Sequence, residues 1–327
     1  MGRGLRQSQR SLSALLDRPP AELKKAVEQI QPFFQTAATT ALDTKKPVLE
    51  RLSALRLLAY APASVAEKTL GHLLSPRHPA EVQLAAVRAL AAQDRPSLAA
   101  TLLSGWSGYT PALRRECLEV LFASPRRLEA LLEALEKKIV QAGHLEPARL
   151  DQLRKHRDPK VRQRASKVLA GAAAPERQKV VEAYKSALEL KADRMRGREV
   201  FKKNCATCHR LENEGYEVGP DLLATLKNKS REQLLQDLLD PSREVDSRYV
   251  NYQVTTTRGL IVTGLIATET ASSLTLRRGD KQEDVLLRSQ IAEITATGKS
   301  LMPEGLEMQL TKQDVADLIE YLLGVVK

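Results

Sequence analysis

Residues that could carry redox or metal chemistry lie together in one short stretch of the chain. Cys205, Cys208 and His209 form the pattern C-x-x-C-H. Two thiols on one turn can both form thioethers with the vinyl groups of one porphyrin, and the histidine that follows can supply an imidazole nitrogen to the iron. Dithiol redox sites and zinc sites use related spacings, so the surrounding sequence must separate these three alternatives.

The neighbouring residues favour haem attachment. A dithiol redox motif follows a strand and opens a long helix, whereas here a helical stretch over 194–203 precedes the first cysteine. A zinc site needs further ligands, yet no Cys or His occurs in the remaining 118 residues. A chance match is uncommon in a chain with 3 cysteines. The sequence therefore predicts one covalently bound haem c.

Helical patterns on both sides of the motif would position it. Gly197 and Phe201 lie on one side of the preceding helix, and a turn with the sequence VGPDL at 218–222 follows the motif. Far downstream, Met302 is followed by Pro303 and stands ahead of a final amphipathic helix over 311–323.

With these features, residues 194–327 resemble a class I cytochrome c domain. In that family the first and last helices cross through a small residue and aromatic residues, and Gly197, Phe201 and Tyr321 stand in the matching places. The resemblance implies a compact helical domain around the haem, with electron transfer as its activity.

The resemblance also implies a set of haem-binding residues: Cys205 and Cys208 as thioether anchors, with His209 as the proximal iron ligand. The carbonyl of Pro220 would accept a hydrogen bond from Nδ1–H of His209, and Met302 would be the sixth ligand. Met308 is the rival for that place, but it lacks the adjacent proline of the family arrangement. Ligation by both His209 and Met302 would leave no open iron position.

The connection between the two proposed iron ligands is long for this family. It spans 93 residues, and residues 248–295 within it are rich in β-branched residues and alternate in polarity. Removing that stretch leaves a spacing typical of a small cytochrome c. We therefore predict an inserted antiparallel β subdomain, with strands at 249–257, 260–268, 273–278 and 284–288 and turns at 258–259 and 279–280.

The first part of the chain predicts stacked helices. Short apolar-periodic segments often begin with proline in the first turn, as at 47–60, 62–75, 79–93 and 110–124. An internal repeat aligns 51–58 with 83–90, 114–121 and 162–169. The stretch 47–171 resembles HEAT repeats. The predicted fold is thus mainly α: a HEAT-like α-solenoid over 1–190, followed by a class I cytochrome c-like domain over 191–327 with the small antiparallel β insert.

The whole arrangement resembles a haem-binding domain of planctomycetes and their relatives. That domain typically forms the C-terminal part of large membrane-bound dehydrogenase-type proteins, behind a β-propeller and HEAT-like repeats. No propeller sequence is present here, so dehydrogenase activity is not carried over. The resemblance implies a redox partner protein, which we expect to be a dehydrogenase.

Charge is distributed unevenly along the chain. Residues 1–193 carry 32 Lys and Arg against 20 Asp and Glu, whereas residues 194–327 carry 19 against 20. Solvated helix faces account for such a surplus, and docking to an acidic protein surface is the functional alternative. Aromatic residues for base stacking are scarce, at 4%, and no DNA-binding motif occurs, so nucleic acid is not an expected partner. No apolar run approaches the roughly 20 residues of a membrane span.

Localisation and the remaining residues complete the expectations. Covalent haem attachment predicts a periplasmic or otherwise extracytoplasmic protein, although residues 1–20 show no signal peptide and the chain is expected to be a fragment of a longer protein. Cys117 is predicted to be a buried small hydrophobe, and Trp106 to pack at a helix end. The other four histidines, His72, His78, His144 and His156, are expected at the surface or in helix caps.

Three classes of function follow from these residues. The first is a c-type cytochrome that carries electrons, with the helical repeats docking it to a partner. The second is a haem enzyme, which requires an open iron position. The third is a helical-repeat scaffold with a sensory or vestigial haem domain. The presence of Met302 favours the electron carrier over the enzyme.

Overall fold

The computed structural model describes residues 12–169 and 175–325, and its fold is mainly α with one antiparallel sheet, as predicted. The first part of the N-terminal stretch, 1–11, and the end of the predicted repeat region, 170–171, lie outside the described residues. The helices are α1 (Leu12–Asp17), α2 (Lys24–Leu42), α3 (Val48–Leu58), α4 (Ala63–His72), α5 (Ala80–Gln93), α6 (Leu98–Ser104), α7 (Pro111–Phe122), α8 (Pro125–Glu136), α9 (Pro147–Arg154), α10 (Pro159–Leu169), α11 (Pro175–Tyr184), α12 (Arg194–Asn204), α13 (Leu222–Leu226), α14 (Arg231–Leu239) and α15 (Lys312–Val325).

Helices α1–α10 form one stacked unit, called here the N-terminal helix array. Helices α3, α5 and α7 contact one another in chain order, and α6, α8 and α10 do the same, so the helices lie in two rows. A single apolar core runs through the array and includes Leu55, Leu90 and Leu121. Cys117 is fully buried in this core, as predicted, and Trp106 is buried beside it.

The four aligned segments of the internal repeat share one type of side-chain hydrogen bond. The first residue of each aligned segment is a long polar side chain that donates to carbonyl groups of the chain just before its helix. Arg51 donates to Ala41, Gln83 to Leu74 and Ser75, Arg114 to Trp106 and Ser107, and Arg162 to His156 and Arg157. Carbonyls at helix ends and in loops lack partners within their own helix, so each repeat stabilises the junction that precedes it.

The prediction for His78 was wrong, because its side chain is buried and caps no helix. His144 is also buried, but it caps the short 3-10 helix Ala142–His144, since its Nδ1 accepts from the backbone N–H of Gln141. Arg51 donates to Nδ1 of His78, and burial is the largest influence that lowers the pKa of His78 to about 4. Nδ1 of His144 accepts from Nε1–H of Trp106, and burial lowers the pKa of His144 to about 3. Both imidazoles are therefore neutral parts of the array core.

The predicted β insert is a sheet with the strand order β4-β3-β2-β1-β5, antiparallel throughout. Its strands are β1 (Val250–Thr256), β2 (Ile261–Glu269), β3 (Ser273–Arg277), β4 (Glu283–Leu287) and β5 (Ile291–Ser300). The first four match the predicted strands within two residues. Strand β5 was not predicted, and it extends the sheet beyond residue 295. Val250 at the start of β1 pairs with Ser300 at the end of β5, so the chain enters and leaves the sheet at adjacent positions.

The sheet is joined to the N-terminal helix array by buried arginines. Arg114 donates from Nη1 to the hydroxyl of Tyr252 at 3.0 Å, and both side chains are buried. Arg288, which pairs with Glu269, donates from Nη1 to the carbonyl of Pro76 at 2.9 Å. Because the carbonyl and hydroxyl acceptors are enclosed, losing either donor would leave buried groups unpaired.

Helices α11–α15 form a second helical unit, called here the C-terminal helix cluster. Its core includes Val181 of α11 and Ala187, as well as residues of α12, α14 and α15. Arg177 of α11 reaches the carboxylate of Glu307 at 2.7 Å, which fixes α11 to the segment before α15. The domain boundary near residue 190 stays a prediction, and α11, which precedes it, packs with the helices that follow it.

Helix α12 crosses α15 at Gly197, as the sequence predicted. A Cβ atom at this position would lie 2.0 Å from the carbonyl oxygen of Asp317, so only glycine permits the approach. Next to it, the rings of Phe201 and Tyr321 pack with their centroids 5.7 Å apart. These contacts set the position of the C-terminal end of α12.

Asp317 provides the polar part of the same crossing. Its buried carboxylate accepts from Nε of Arg196 at 2.7 Å and from the backbone N–H of Asp193 at 2.7 Å, and Gln313 adds a third donor. Burial alone raises the pKa of Asp317, but these donors together outweigh it, so the pKa lies below its ordinary value. The carboxylate is therefore held ionised at the crossing.

Replacing Gly197 by alanine should destabilise the protein by about 1–3 kcal/mol or more, because the new methyl group meets backbone that cannot move aside. Gly71→Ala is the matched control. Gly71 lies inside α4, and its Cβ would lie 3.5 Å from Cγ2 of Thr101 in α6, an ordinary contact. The change should therefore be neutral or stabilising by up to about 1 kcal/mol. Calorimetric unfolding of the full chain measures both, and equal unfolding profiles for the two variants would contradict the crossing.

Candidate haem-attachment site

The C-x-x-C-H motif forms a tight turn at the end of α12. Asp193 caps the start of this helix through hydrogen bonds from the N–H groups of Met195 and Arg196, and the regular helix ends at Asn204. The N–H groups of Cys208 and His209 then both donate to the carbonyl of Cys205, at 3.0 and 2.9 Å. The sequence-predicted thiols and imidazole therefore lie on one turn whose direction follows from the crossing of α12 and α15.

The imidazole of His209 is neutral and has a ring nitrogen without a hydrogen-bond partner, as a metal ligand requires. Burial lowers the pKa of its imidazole, and the nearby carbonyl of Pro220 opposes this effect without reversing it. The ring is therefore neutral at pH 7, the form that binds metals. Its Nδ1 atom is shielded from solvent and makes no hydrogen bond within normal geometric limits. The predicted bond from Nδ1–H to Pro220 thus stays a prediction, although that carbonyl acts on the ring.

The loop after the motif covers the imidazole. The N–H groups of Val218 and Gly219 both donate to the carbonyl of Cys208, at 3.0 and 2.7 Å. A Cβ atom on Gly219 would lie 2.4 Å from Cε1 of His209 and 2.7 Å from Nδ1. The backbone of this loop therefore lies directly against the ring, which a larger residue would prevent. Sequence reasoning placed a turn here but assigned Gly219 no function.

The two thiols of the motif differ in their surroundings. Burial, and then the neighbouring Cys208, raise the pKa of Cys205 to about 12. Burial, and then the carboxylate of Asp280, raise the pKa of Cys208. Both residues are free cysteines and stay protonated at neutral pH. Two thiols and a neutral imidazole on one turn, with an unpartnered buried ring nitrogen, fit a thioether-linked haem.

Met302 packs against the core of the C-terminal helix cluster, the same core against which Cys205 packs. Its N–H donates to Oγ of Ser300, and the N–H of Leu301 donates to the carbonyl of Tyr249, so the end of the sheet fixes the backbone before Met302. Met308, by contrast, is 82% exposed. The structure thus brings Met302, and not its rival, to the core beside the motif.

Tyr249 and Tyr252, at the start of the sheet, have different surroundings. The side chain of Tyr252 is buried, and its hydroxyl accepts from Arg114 of the N-terminal helix array. Tyr249 is half-buried, with the guanidinium of Arg248 over its ring. Arg248 itself is exposed and pairs with Asp246.

Comparison with known proteins agrees with this geometry. Residues 195–258 match the Cytochrome c family, a stretch that runs from α12 through the motif to the end of β1. A cytochrome c-553-like protein of Synechocystis sp. is 36% identical over 52 residues, which cover 16% of this chain and 49% of that protein. The chain therefore spans about half the length of this curated relative. Met302 and α15 lie beyond the residues that match the family.

These similarities define the chemistry of the site. The match of residues 195–258 to the Cytochrome c family implies a covalently bound haem c. Cytochrome c domains are typically extracytoplasmic. In the ranges that the structure describes, 12–169 and 175–325, no helix has the length and apolarity that crossing a membrane requires.

Substituting Gly219 by alanine should reduce covalent haem incorporation, because the methyl group would displace the imidazole of His209 from the turn. The measurement is the haem-to-protein ratio of variant and wild type after export with the haem-attachment machinery. Gly71→Ala, far from the motif, serves as the control and should keep the wild-type ratio. Full incorporation with an unchanged spectrum in Gly219→Ala would show that the loop does not constrain the ring.

Proposed function

We propose that the protein is a c-type cytochrome that transfers electrons, with one haem c attached to Cys205 and Cys208 and held by His209 and Met302. The observation that carries the proposal is the turn at the end of α12, where two thiols and a neutral imidazole lie together. When bound, haem supplies one-electron chemistry at its iron. Two protein ligands leave no iron position for a substrate, which favours electron transfer over catalysis.

Each residue of the site has a distinct role in this proposal. The neutral imidazole of His209 offers a nitrogen lone pair, and the carbonyl of Pro220, which already acts on the ring, would orient it when Nδ1 carries the proton. The thioether of Met302 would reach the iron from the chain that leaves β5.

The test is an optical spectrum of protein exported to a periplasm together with the haem-attachment machinery. A c-type pyridine haemochrome with one haem per chain, and the far-red methionine-to-iron band of the oxidised form, are expected for the wild type. Covalent haem that readily binds cyanide or carbon monoxide would favour a haem enzyme with an open iron position. Protein without haem would leave a helical scaffold with an inactive motif.

Two methionine variants complete that experiment. Met302→Ala should abolish the far-red band and lower the reduction potential, because a thioether ligand stabilises the reduced iron. Met308→Ala should leave both unchanged, since its side chain is exposed. The opposite result would move the sixth ligand from Met302 to Met308.

We further propose that the N-terminal helix array docks the haem domain to a redox partner with an acidic surface, which we expect to be an extracytoplasmic dehydrogenase. The support is the surplus of basic residues, which is confined to residues 1–193. Some of these basic residues pair with acidic residues of neighbouring helices, as Arg88 does with Glu116. The unpaired surplus of positive charge is available to attract an acidic surface.

Electrostatic docking predicts that electron exchange with an acidic partner slows as ionic strength rises, because salt screens the attraction between the surfaces. Stopped-flow rates between about 20 and 200 mM salt measure this dependence. A negatively charged small oxidant should show the same trend and a neutral one should show none. A partner rate that does not change with salt would rule out docking by charge.

A further inference from the structure

The turn that joins β3 to β4, Arg278–Gln282, lies directly against the C-x-x-C-H motif. The N–H of Asp280 donates to the carbonyl of Thr207 at 2.8 Å. A Cβ atom on Gly279 would lie 2.7 Å from Cγ2 of Thr207 and 3.7 Å from Sγ of Cys208. A residue of the sheet thus occupies the space beside the second thioether-forming sulfur, 71 positions along the chain from Cys208.

The backbone of this turn is held in a strained form. Asp280 has φ 56° and Lys281 has φ 54°, so two consecutive residues with side chains adopt the left-handed region. Hydrogen bonds from the N–H of Arg278 to Gln282 and from the N–H of Gln282 to Gly279 close the turn. Such conformations cost of order 1–3 kcal/mol each and persist where surrounding contacts impose them. The contact with Thr207 is one of these.

The sheet that carries the turn is itself fixed to the rest of the protein. Tyr252 and Arg288 hold it to the N-terminal helix array through their bonds with Arg114 and the carbonyl of Pro76. The sheet therefore presents the β3–β4 turn to the motif from a rigid support.

The contact between the β3–β4 turn and Thr207 covers the motif beside Cys208. The carboxylate of Asp280 is also near enough to act on this sulfur, because it raises the pKa of the Cys208 thiol, although burial is the larger cause. The turn thus contributes two separate properties at this sulfur, a backbone that excludes water and a carboxylate with a negative charge.

We propose that the β3–β4 turn is a positioning element of the haem site, in which Gly279 and Asp280 hold the Thr207 carbonyl, cover the Cys208 thioether and set the reduction potential of the bound haem. This inference rests on the proposed function. Excluding water disfavours the oxidised iron, which carries the additional positive charge, and so raises the potential. A nearby carboxylate favours the oxidised iron and lowers the potential.

The two contributions can be separated by substitution. Gly279→Asn should push the turn away from Thr207 and admit water, so the potential should fall. Asp280→Asn keeps the backbone donor, suits the left-handed conformation and removes the charge, so the potential should rise. Gly259→Asn in the β1–β2 turn is the control, because Gly259 is also a turn glycine and a Cβ there would meet nothing within 4 Å.

Potentiometric titration of the wild type and the three variants, all as exported holoproteins, gives the decisive comparison. Opposite shifts for Gly279→Asn and Asp280→Asn, both larger than that of Gly259→Asn, support the proposal. Potentials of Gly279→Asn and Asp280→Asn that equal the control value would overturn it. If Gly279→Asn fails to accumulate, Asp280→Asn against Gly259→Asn decides alone.

A second measurement separates failure of this inference from failure of the proposed function. If the wild-type protein carries no haem, the electron-carrier proposal fails, but the turn can still be examined in the haem-free chain. Alkylation of Cys208 by iodoacetamide, followed by mass spectrometry, should then be several-fold faster in Gly279→Asn than in wild type or Gly259→Asn. Equal rates in all three would show that the turn does not cover this sulfur.

Discussion

The close approach of α12 and α15 at Gly197 determines where the reactive residues lie. No side chain separates the two helices there, and the carbonyl of Asp317 occupies the space that a Cβ atom would need. The paired rings of Phe201 and Tyr321 and the buried carboxylate of Asp317 fix the angle and the register of the crossing. The end of α12, and with it the turn that carries the motif, follows from this contact.

Much of this organisation could be predicted because it depends on local patterns. The motif, the crossing residues and the first four strands each have a signature within a few positions of sequence. The contact of Gly279 with Thr207 and the cover of His209 by Gly219 have no such signature, since each depends on how distant or adjoining backbone folds back. Strand β5 was not predicted because its second half, which ends at Ser300, is largely polar. It is an edge strand that pairs only with β1 in this sheet.

The N-terminal helix array shows how a repeated residue acquires a second use. Arg51, Gln83 and Arg114 occupy the same position in successive repeats, and each donates to carbonyls of the chain before its helix. Only Arg114 among these three also reaches out of the array, to the hydroxyl of Tyr252. The contact between the array and the sheet therefore uses Arg114, whose position is set by the repeat. The sequence of the sheet alone could not predict that Tyr252 is buried against this arginine.

The chain enters and leaves the sheet at adjacent positions, and this has a consequence for the connection between His209 and Met302. These residues are 93 positions apart, but Val250 pairs with Ser300, so the fold bypasses most of that length. A flexible connection of the same length would leave the Met302 side chain diluted over a large volume, with a closure entropy that grows with its length. The folded sheet instead acts as a short, stiff tether and gives the Met302 thioether a high effective concentration beside the core that holds Cys205.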